Sequence, residues 1–321
     1  MASSGTGPRV LVLAGGLSHE RDVSLRSGRR VAEALRAAGC EVTTRDVDAD
    51  LLPSLESDRP DVVWPLLHGS TGEDGAVRDV LELLDLPYVG AEPAACRRAF
   101  DKPVARSVVA AAGLAVPTGV ALPHSVFREL GARAVLAALV DRLGLPLAVK
   151  PARGGSALGV SVVEEPSELP RAMVDCYGYG EVALVERAVR GTEVAVSVVA
   201  DEEAPRALPA VEIVPAAGTV YGYDARYTAG GTEYFVPARL EEKAASAAAE
   251  AALTAHRTLG LRDLSRTDLI VDAEGTPWFL ETNVAPGMTE LSLLPQGLTA
   301  AGDDHGWVYR RLVERALARR G

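Results

Sequence analysis

Residues 266–289 read RTDLIVDAEGTPWFLETNVAPGMT, and the fold turns on how this stretch pairs with itself. Leu269–Asp272 and Trp278–Glu281 are apolar runs separated by Glu274-Gly275, which predicts two antiparallel strands joined by a tight turn. That pairing brings Asp268 and Glu281 together on one face, with Asn283 two residues further on. All three are hard oxygen donors of the type Mg²⁺ prefers, especially when it also holds a nucleotide's phosphates. An ordinary hairpin with solvated carboxylates at its ends accounts for the spacing equally well. The following Pro286-Gly287-Met288-Thr289 shifts the balance toward a site, because its glycine can present a bare backbone N–H to a ligand.

Upstream of the hairpin, Val182–Glu186, Glu193–Val199 and Ala207–Ile213 read as further strands, followed by one alanine-rich helix, Leu240–Leu259. Between them, Ala216–Tyr234 is rich in Gly, Tyr and Thr and too long for a turn, which predicts either a functional lid or a disordered segment. A second unit precedes these strands. Lys102–Ala112 is helical and Val116–Leu122 extended, and Val126–Leu143 is a helix with Leu130, Val135, Leu139 and Val140 on its apolar side. Leu147–Lys150 and Val160–Glu164 are strands around the glycine-bearing Ala152–Gly159, an expected antiparallel hairpin. At the front, strands Val10–Leu13, Glu41–Val47 and Asp61–Leu67 alternate with helices Ser24–Ala38 and Asp74–Leu84, the pattern of a doubly wound parallel sheet. The expected division is 1–97, 98–185 and 186–321.

The composition narrows the class. With 321 residues, 48% hydrophobic and 24% charged, the chain can bury several cores and is neither disordered nor collagen-like. No apolar stretch reaches the roughly 18 residues of a membrane span. A formal charge of −11 argues against a dedicated nucleic-acid binder. The apolar run Val10–Ala14 is too short for a secretory signal, and Cys40, Cys96 and Cys176 form neither a disulfide framework nor a zinc motif. A soluble cytoplasmic protein without nucleic-acid or membrane partners is the expectation.

Of 33 basic residues only Lys102, Lys150 and Lys243 are lysine, so each is worth locating. Lys150 ends a buried run before Gly154-Gly155-Ser156, a point charge plus loop N–H groups suited to phosphate. An exposed lysine at a strand end is the plainer alternative. His68-Gly69 and Gly72-Glu73-Asp74-Gly75 follow one strand, and Gly15-Gly16-Leu17-Ser18-His19-Glu20 another; Glu73 and Asp74 also suit an ordinary first helical turn. His124, His256 and His305 lack metal-ligand spacing and read as structural, and Asp201-Glu202-Glu203 reads as a solvated turn.

Taken in order, these motifs resemble the D-alanine–D-alanine ligases of the ATP-grasp superfamily, from about Val10 to Pro295. The resemblance implies an ATP-grasp fold of three α/β domains: an N-terminal doubly wound parallel sheet, then two domains sandwiching ATP. It places Lys102 and Lys150 on the nucleotide phosphates, Glu186 and Val189 at the adenine and Glu193 on the ribose. Asp268, Glu281 and Asn283 match ligands of two Mg²⁺ ions, with Mn²⁺ as a substitute. Glu20 matches the acid receiving the first D-alanine's ammonium, linked through Ser156 and Tyr227 to the lid, with His68 nearby. Arg266 and the Gly287 amide match the oxyanion donors, and Ser292 with Leu293 the pocket for the second substrate's carboxylate. A homodimer is the family expectation.

The chain departs from the family pattern at several positions. Arg226 replaces the lid lysine at the γ-phosphate, Ala157 the second serine of Gly-Ser-Ser, Arg78-Asp79 the usual Gln-Gly, and Val284 the threonine after the metal-ligand asparagine. The implied activity is ATP-dependent joining of two D-alanines through an acyl phosphate for peptidoglycan precursors. A related ligase joining other amino acids in a natural-product pathway, and a nucleotide-binding protein that has lost catalysis, are the alternatives. Tyr227 favours an amine acceptor, and the intact set Arg266, Asp268, Glu281 and Asn283 argues against lost catalysis.

Overall fold

The computed structural model describes residues 7–155, 157–201, 203–215 and 231–319, whose strands form three sheets. In the first, β1 (Arg9–Leu13) lies between β2 (Glu41–Arg45) and β3 (Val62–Pro65), both parallel to it. Val10, Val12 and Leu13 are almost wholly buried, the continuous burial of a parallel strand covered on both faces. Helix α1 (Arg21–Ala37) lays Val31, Ala32 and Leu35 onto this sheet. The short α2 (Leu51–Ser57) covers the other side with Leu51 and Leu55.

Beyond the first sheet come α3 (Ser70–Glu73), α4 (Ala76–Leu83), α5 (Pro93–Phe100) and α6 (Lys102–Ala111). The expected helix over 74–84 begins only at Ala76, because Gly75 adopts φ 92° and turns the chain between α3 and α4. Asp101 starts α6, its carboxylate accepting the Val104 N–H at 3.2 Å.

The second sheet is antiparallel, ordered β4 (Gly119–Pro123), β7 (Val182–Arg187), β5 (Leu147–Pro151), β6 (Ser161–Val163), so the predicted β5–β6 hairpin forms. The single helix expected over 126–143 is two, α7 (Ser125–Leu130) and α8 (Ala132–Leu143), broken at Gly131 with φ 83°. An unforeseen helix, α9 (Leu169–Tyr177), packs Leu169, Met173 and Cys176 on the same core.

The third sheet runs β11 (Thr232–Phe235), β10 (Val211–Pro215), β8 (Thr192–Val199), β12 (Leu264–Val271), β13 (Pro277–Asn283), with β9 (Arg206–Ala207) beside β8. The strand expected over 207–213 is divided into β9 and β10, with Pro209 between them unable to donate to a ladder. Residues 232–234, expected within the lid, belong to β11 instead. The alanine-rich helix, α10 (Glu242–Thr258), sinks Ala248, Ala252 and Ala255 against the sheet, their small side chains permitting close approach.

Helices α11 (Leu293–Ala300) and α12 (His305–Ala318) return to the beginning of the chain. Val308, Leu312 and Val313 of α12 share one core with Val10 and Val12, and Tyr309 meets Trp64 edge-on at 5.4 Å. Residue 97 lies inside α5 and residue 186 inside β7, so neither expected boundary coincides with an element end.

Candidate active site

Two cavities meet in the middle of the molecule. The larger, about 430 Å³, lies among α1, the α3 turn, the ends of β12 and β13 and residues 287–293. The smaller, about 170 Å³, lies between the second and third sheets. Lys102, Gly154, Gly155 and Glu281 line both, so the two spaces share a wall at those residues.

Every residue expected at the nucleotide, other than Arg226, lines the smaller cavity: Lys102, Lys150, Glu186, Val189 and Glu193. Glu186 is nearly inaccessible; Lys150 Nζ reaches its Oε1 at 2.5 Å and Arg106 Nε stands 3.4 Å from Oε2. Oε2 accepts no hydrogen bond from a described residue, Arg106 being its ion-pair neighbour. Lys150 is therefore buried rather than a solvated strand-end lysine, whereas Lys243 is exposed.

At the shared wall the predicted hairpin forms, with a register shift between Leu269 and Asp268 that skips Leu280. Asp268 pairs with Glu281, Thr267 with Thr282 and Arg266 with Asn283. Arg266 donates twice to Asp268, both at 2.7 Å, and Lys102 bridges Glu281 at 3.0 Å while donating to Gly154 O at 2.7 Å. Both carboxylates are thus paired with cations, Asp268 buried and Glu281 partly open to the cavities. Asn283 turns Oδ1 to the Ala285 N–H at 2.7 Å. Among the described residues no three His, Cys, Asp or Glu side chains close a metal cage. Two carboxylates and one amide oxygen are an open donor set, the kind Mg²⁺ uses when phosphates complete its shell.

The larger cavity is lined by Glu20, His68, Arg266, Gly287, Ser292 and Leu293, all expected at the substrates. Burial drives the His68 ring below its ordinary pKa, opposed by Glu20 and the Ala285 carbonyl, and its Nε2 meets no described partner. Ser292 Oγ ties the loop by accepting Thr289 N–H at 2.9 Å, and lies 2.7 Å from where a Cβ on Gly287 would stand, so any larger residue there would collide with it.

Glu73, read from sequence as compatible with an ordinary first-turn acid, is buried in this cavity and accepts the Gly69 N–H at 3.1 Å. Burial first, then Glu20, pushes its carboxyl up to about 8, so it is neutral at pH 7. Its signal was the glycine pattern itself: Gly69 turns at φ 74°, and a Cβ on Gly72 would sit 2.0 Å from Leu67 O. The departure Arg78 is likewise buried, donating to the Gly72 carbonyl behind this turn.

Ser156, Arg226 and Tyr227 lie outside the described residues. Asp201 is not in a solvated turn; it is fully buried and gripped by Arg206 at 3.1 and 2.9 Å. His256 is structural as expected, bonded through Nδ1 to Ser265 Oγ at 2.8 Å and lowered to about 4 by burial.

Family models of the D-ala D-ala ligase N-terminus and C-terminus match residues 43–91 and 108–318. A D-alanine–D-alanine ligase of Anaeromyxobacter dehalogenans is 44% identical over 317 residues, covering 98% of this chain and 97% of that one. The chain belongs to the D-alanine–D-alanine ligase family. Its fold is that of the ATP-grasp enzymes of this family. The crystal structure of the Bacillus anthracis D-alanine–D-alanine ligase complexed with ATP matches with a TM-score of 0.81 and 26% identity, over 98% of this chain and 99% of that one. A D-Ala:D-Ser ligase from Enterococcus faecalis matches at 0.82 and 26%, over 97% and 99%. This ligase-family chain therefore carries an ATP-dependent ligase site, and its described part has no helix long and apolar enough to cross a membrane.

Proposed function

We propose that the chain joins two D-alanines at the expense of ATP, supplying the dipeptide for peptidoglycan precursors. One observation carries the reading: Lys102 and Glu281 belong to both cavities, so a phosphoryl group in one and a carboxylate in the other would meet there. A carboxylate is a poor electrophile. Its oxygen attacks the γ-phosphorus, ADP leaves, and the acyl phosphate that forms is open to an amine. The second amino acid's nitrogen then attacks the carbonyl carbon, the new C–N bond forms, and phosphate departs with the C–O electrons.

Each described residue has a part in this scheme. Lys102 and Lys150 face the phosphates, Glu186 Oε2 offers an acceptor to the adenine amino group, and Val189 and Glu193 line the nucleoside end. Glu20 and His68 hold the first amino acid, while Ser292 and the Leu293 amide take the carboxylate of the second. Arg266 and the Gly287 N–H face the oxyanion of the tetrahedral intermediate. Asp268, Glu281 and Asn283 would hold two Mg²⁺ ions, or Mn²⁺, which neutralise phosphate charge when bound. Ser156, Tyr227 and Arg226 belong to the loop and lid that exclude water from the acyl phosphate. The units 1–97, 98–185 and 186–321, a cytoplasmic location and a homodimer complete the proposal.

The test is purified protein with ATP and Mg²⁺ across a panel of D- and L-amino acids, reading phosphate release and dipeptide mass. Release with D-alanine and D-alanyl-D-alanine as product is the expected result. A second amino acid other than D-alanine is the runner-up, favoured by the equally close fold match to a D-Ala:D-Ser ligase. Release only with another acceptor would replace the first reading by the second, and no release with any substrate would overturn both.

A further inference from the structure

One face of α1 runs along the loop that the proposed reaction uses for its oxyanion. Val23, Ser27 and Arg30 stand at i, i+4 and i+7, so they form one stripe. Val23 Cγ1 is 3.9 Å from where a Cβ on Gly287 would be, and Arg30 Nη1 reaches Glu290 Oε1 at 2.6 Å across the surface. Between these contacts the wholly buried Ser27 Oγ accepts the Met288 N–H at 3.0 Å.

We propose that Ser27 is a positioning residue for the acceptor half of the reaction: its hydroxyl fixes the 287–288 peptide and thereby aims the Gly287 N–H at the developing oxyanion. This inference rests on the ligase reading above. The geometry leaves the Gly287 amide few freedoms. Pro286 locks φ on one side. On the other, Ser27 pins the Met288 N–H, and Met288 itself is buried with Sδ 3.7 Å from the Tyr309 hydroxyl. Glycine at 287 has no side chain to restrict its backbone, so the restriction comes from this external bond. The same rigid helix begins beside Glu20, about 10 Å away at 1.5 Å per residue. A single helix thus sets the distance between the acid proposed for the first substrate's ammonium and the loop that receives the second. An ångström of misplacement between reacting groups is costly in such a reaction.

The readout is coupling. In the wild type each phosphate released accompanies one dipeptide. With the Met288 amide unpinned, amine attack on the carbonyl carbon slows, while attack by water at phosphorus, which breaks the P–O bond and returns the D-alanine carboxylate and phosphate, builds no carbonyl oxyanion and does not depend on the loop. Ser27→Ala is expected to lower kcat for dipeptide about tenfold, to leave KM for ATP within about twofold, and to raise phosphate per dipeptide above about two. Ser24→Ala is the matched comparison: Ser24 is an equally buried serine on the same helix, bonding Gly15 N–H and Leu66 O at 2.8 and 2.6 Å, away from the 287–292 loop. It is expected to lower Tm similarly while phosphate and dipeptide stay equal. If Ser27→Ala does not fold, Ser27→Cys, with its weak acceptor, is expected to show the same loss of coupling in smaller degree. A ratio of one in the folded Ser27 variant, or the same rise in Ser24→Ala, would overturn the positioning role while leaving the ligase reading intact. Wild-type protein that makes no dipeptide would overturn both.

Discussion

Arg266 holds a structural role and, on the proposed function, an oxyanion role, which a single and a double variant together separate. Its guanidinium donates both 2.7 Å bonds to Asp268, whose side chain is only 4% exposed. Arg266→Ala strips a buried carboxylate of its partner, a change that costs about 3–5 kcal/mol when nothing replaces the lost bonds. For a chain of this size that corresponds to a fall in Tm of roughly 4–7 °C. Pairing it with Asp268→Asn removes the stranded charge, so Arg266→Ala/Asp268→Asn is expected to regain most of that loss. Turnover follows a different rule: removing one oxyanion donor typically lowers kcat by about 10²–10³. The assays are thermal unfolding for the single and double variants, and dipeptide formation by Arg266→Ala at a temperature where it is fully folded. A folded Arg266→Ala whose kcat falls tenfold or less would refute the oxyanion role and leave Arg266 as the structural partner of Asp268. Failure of the double variant to recover stability would refute the stranded-charge account.

Lys150→Ala removes the 2.5 Å partner of Glu186 and a proposed phosphate contact, and should raise the ATP dissociation constant at least about tenfold by calorimetry. Glu73 titrates near 4.5 when unfolded and is raised to about 8 when folded, so the native state binds the extra proton between those values. Its contribution is fully present below pH 4.5 and is lost as pH rises through 8; Glu73→Gln should flatten that decline in urea midpoints measured at pH 5 and pH 9. Gly72→Ala drives a Cβ to 2.0 Å from the Leu67 carbonyl oxygen, and should abolish the Gly69–Glu73 turn and with it activity, read by dipeptide formation in whatever folded protein is recovered.

That Lys102, Lys150, Glu186, Val189 and Glu193 belong together was legible in the sequence, since all five line one cavity. The β12–β13 hairpin is two apolar strands with Gly275 at φ 81° in the turn, which sets the pairs from Val271–Pro277 to Leu269–Phe279, whereas the bulge beyond them that puts Glu281 opposite Asp268 left no signal in the sequence. Lys102 and Lys150 stood out because a chain that otherwise uses arginine kept lysine there. What sequence hid depends on contacts between distant segments. Glu73 is unremarkable on a helix turn until the fold surrounds it with Glu20 and buries it. Asp201 looks like a surface acid until Arg206 and Asp303 close over it, Arg206 reaching Asp303 at 2.9 Å. The breaks at Gly75 and Gly131 came from left-handed backbone at glycines that helical periodicity tolerates. Helix α11 carries Pro295 and Gly297, which mask a helix that its burial against the rest of the fold stabilises.

The return of α12 to the first sheet bears on how the polypeptide is made. Val10 and Val12 leave the ribosome well before Val308, Leu312 and Val313, which complete their core. Arg310 closes the seam by donating to the Ala38 carbonyl at 2.7 Å. The second sheet draws its core only from residues 122–185 and can consolidate while translation continues. The first sheet must wait with part of its apolar surface uncovered, so the order of folding is inverted relative to the order of synthesis, and a nascent chain halted before residue 305 would expose that surface to chaperones.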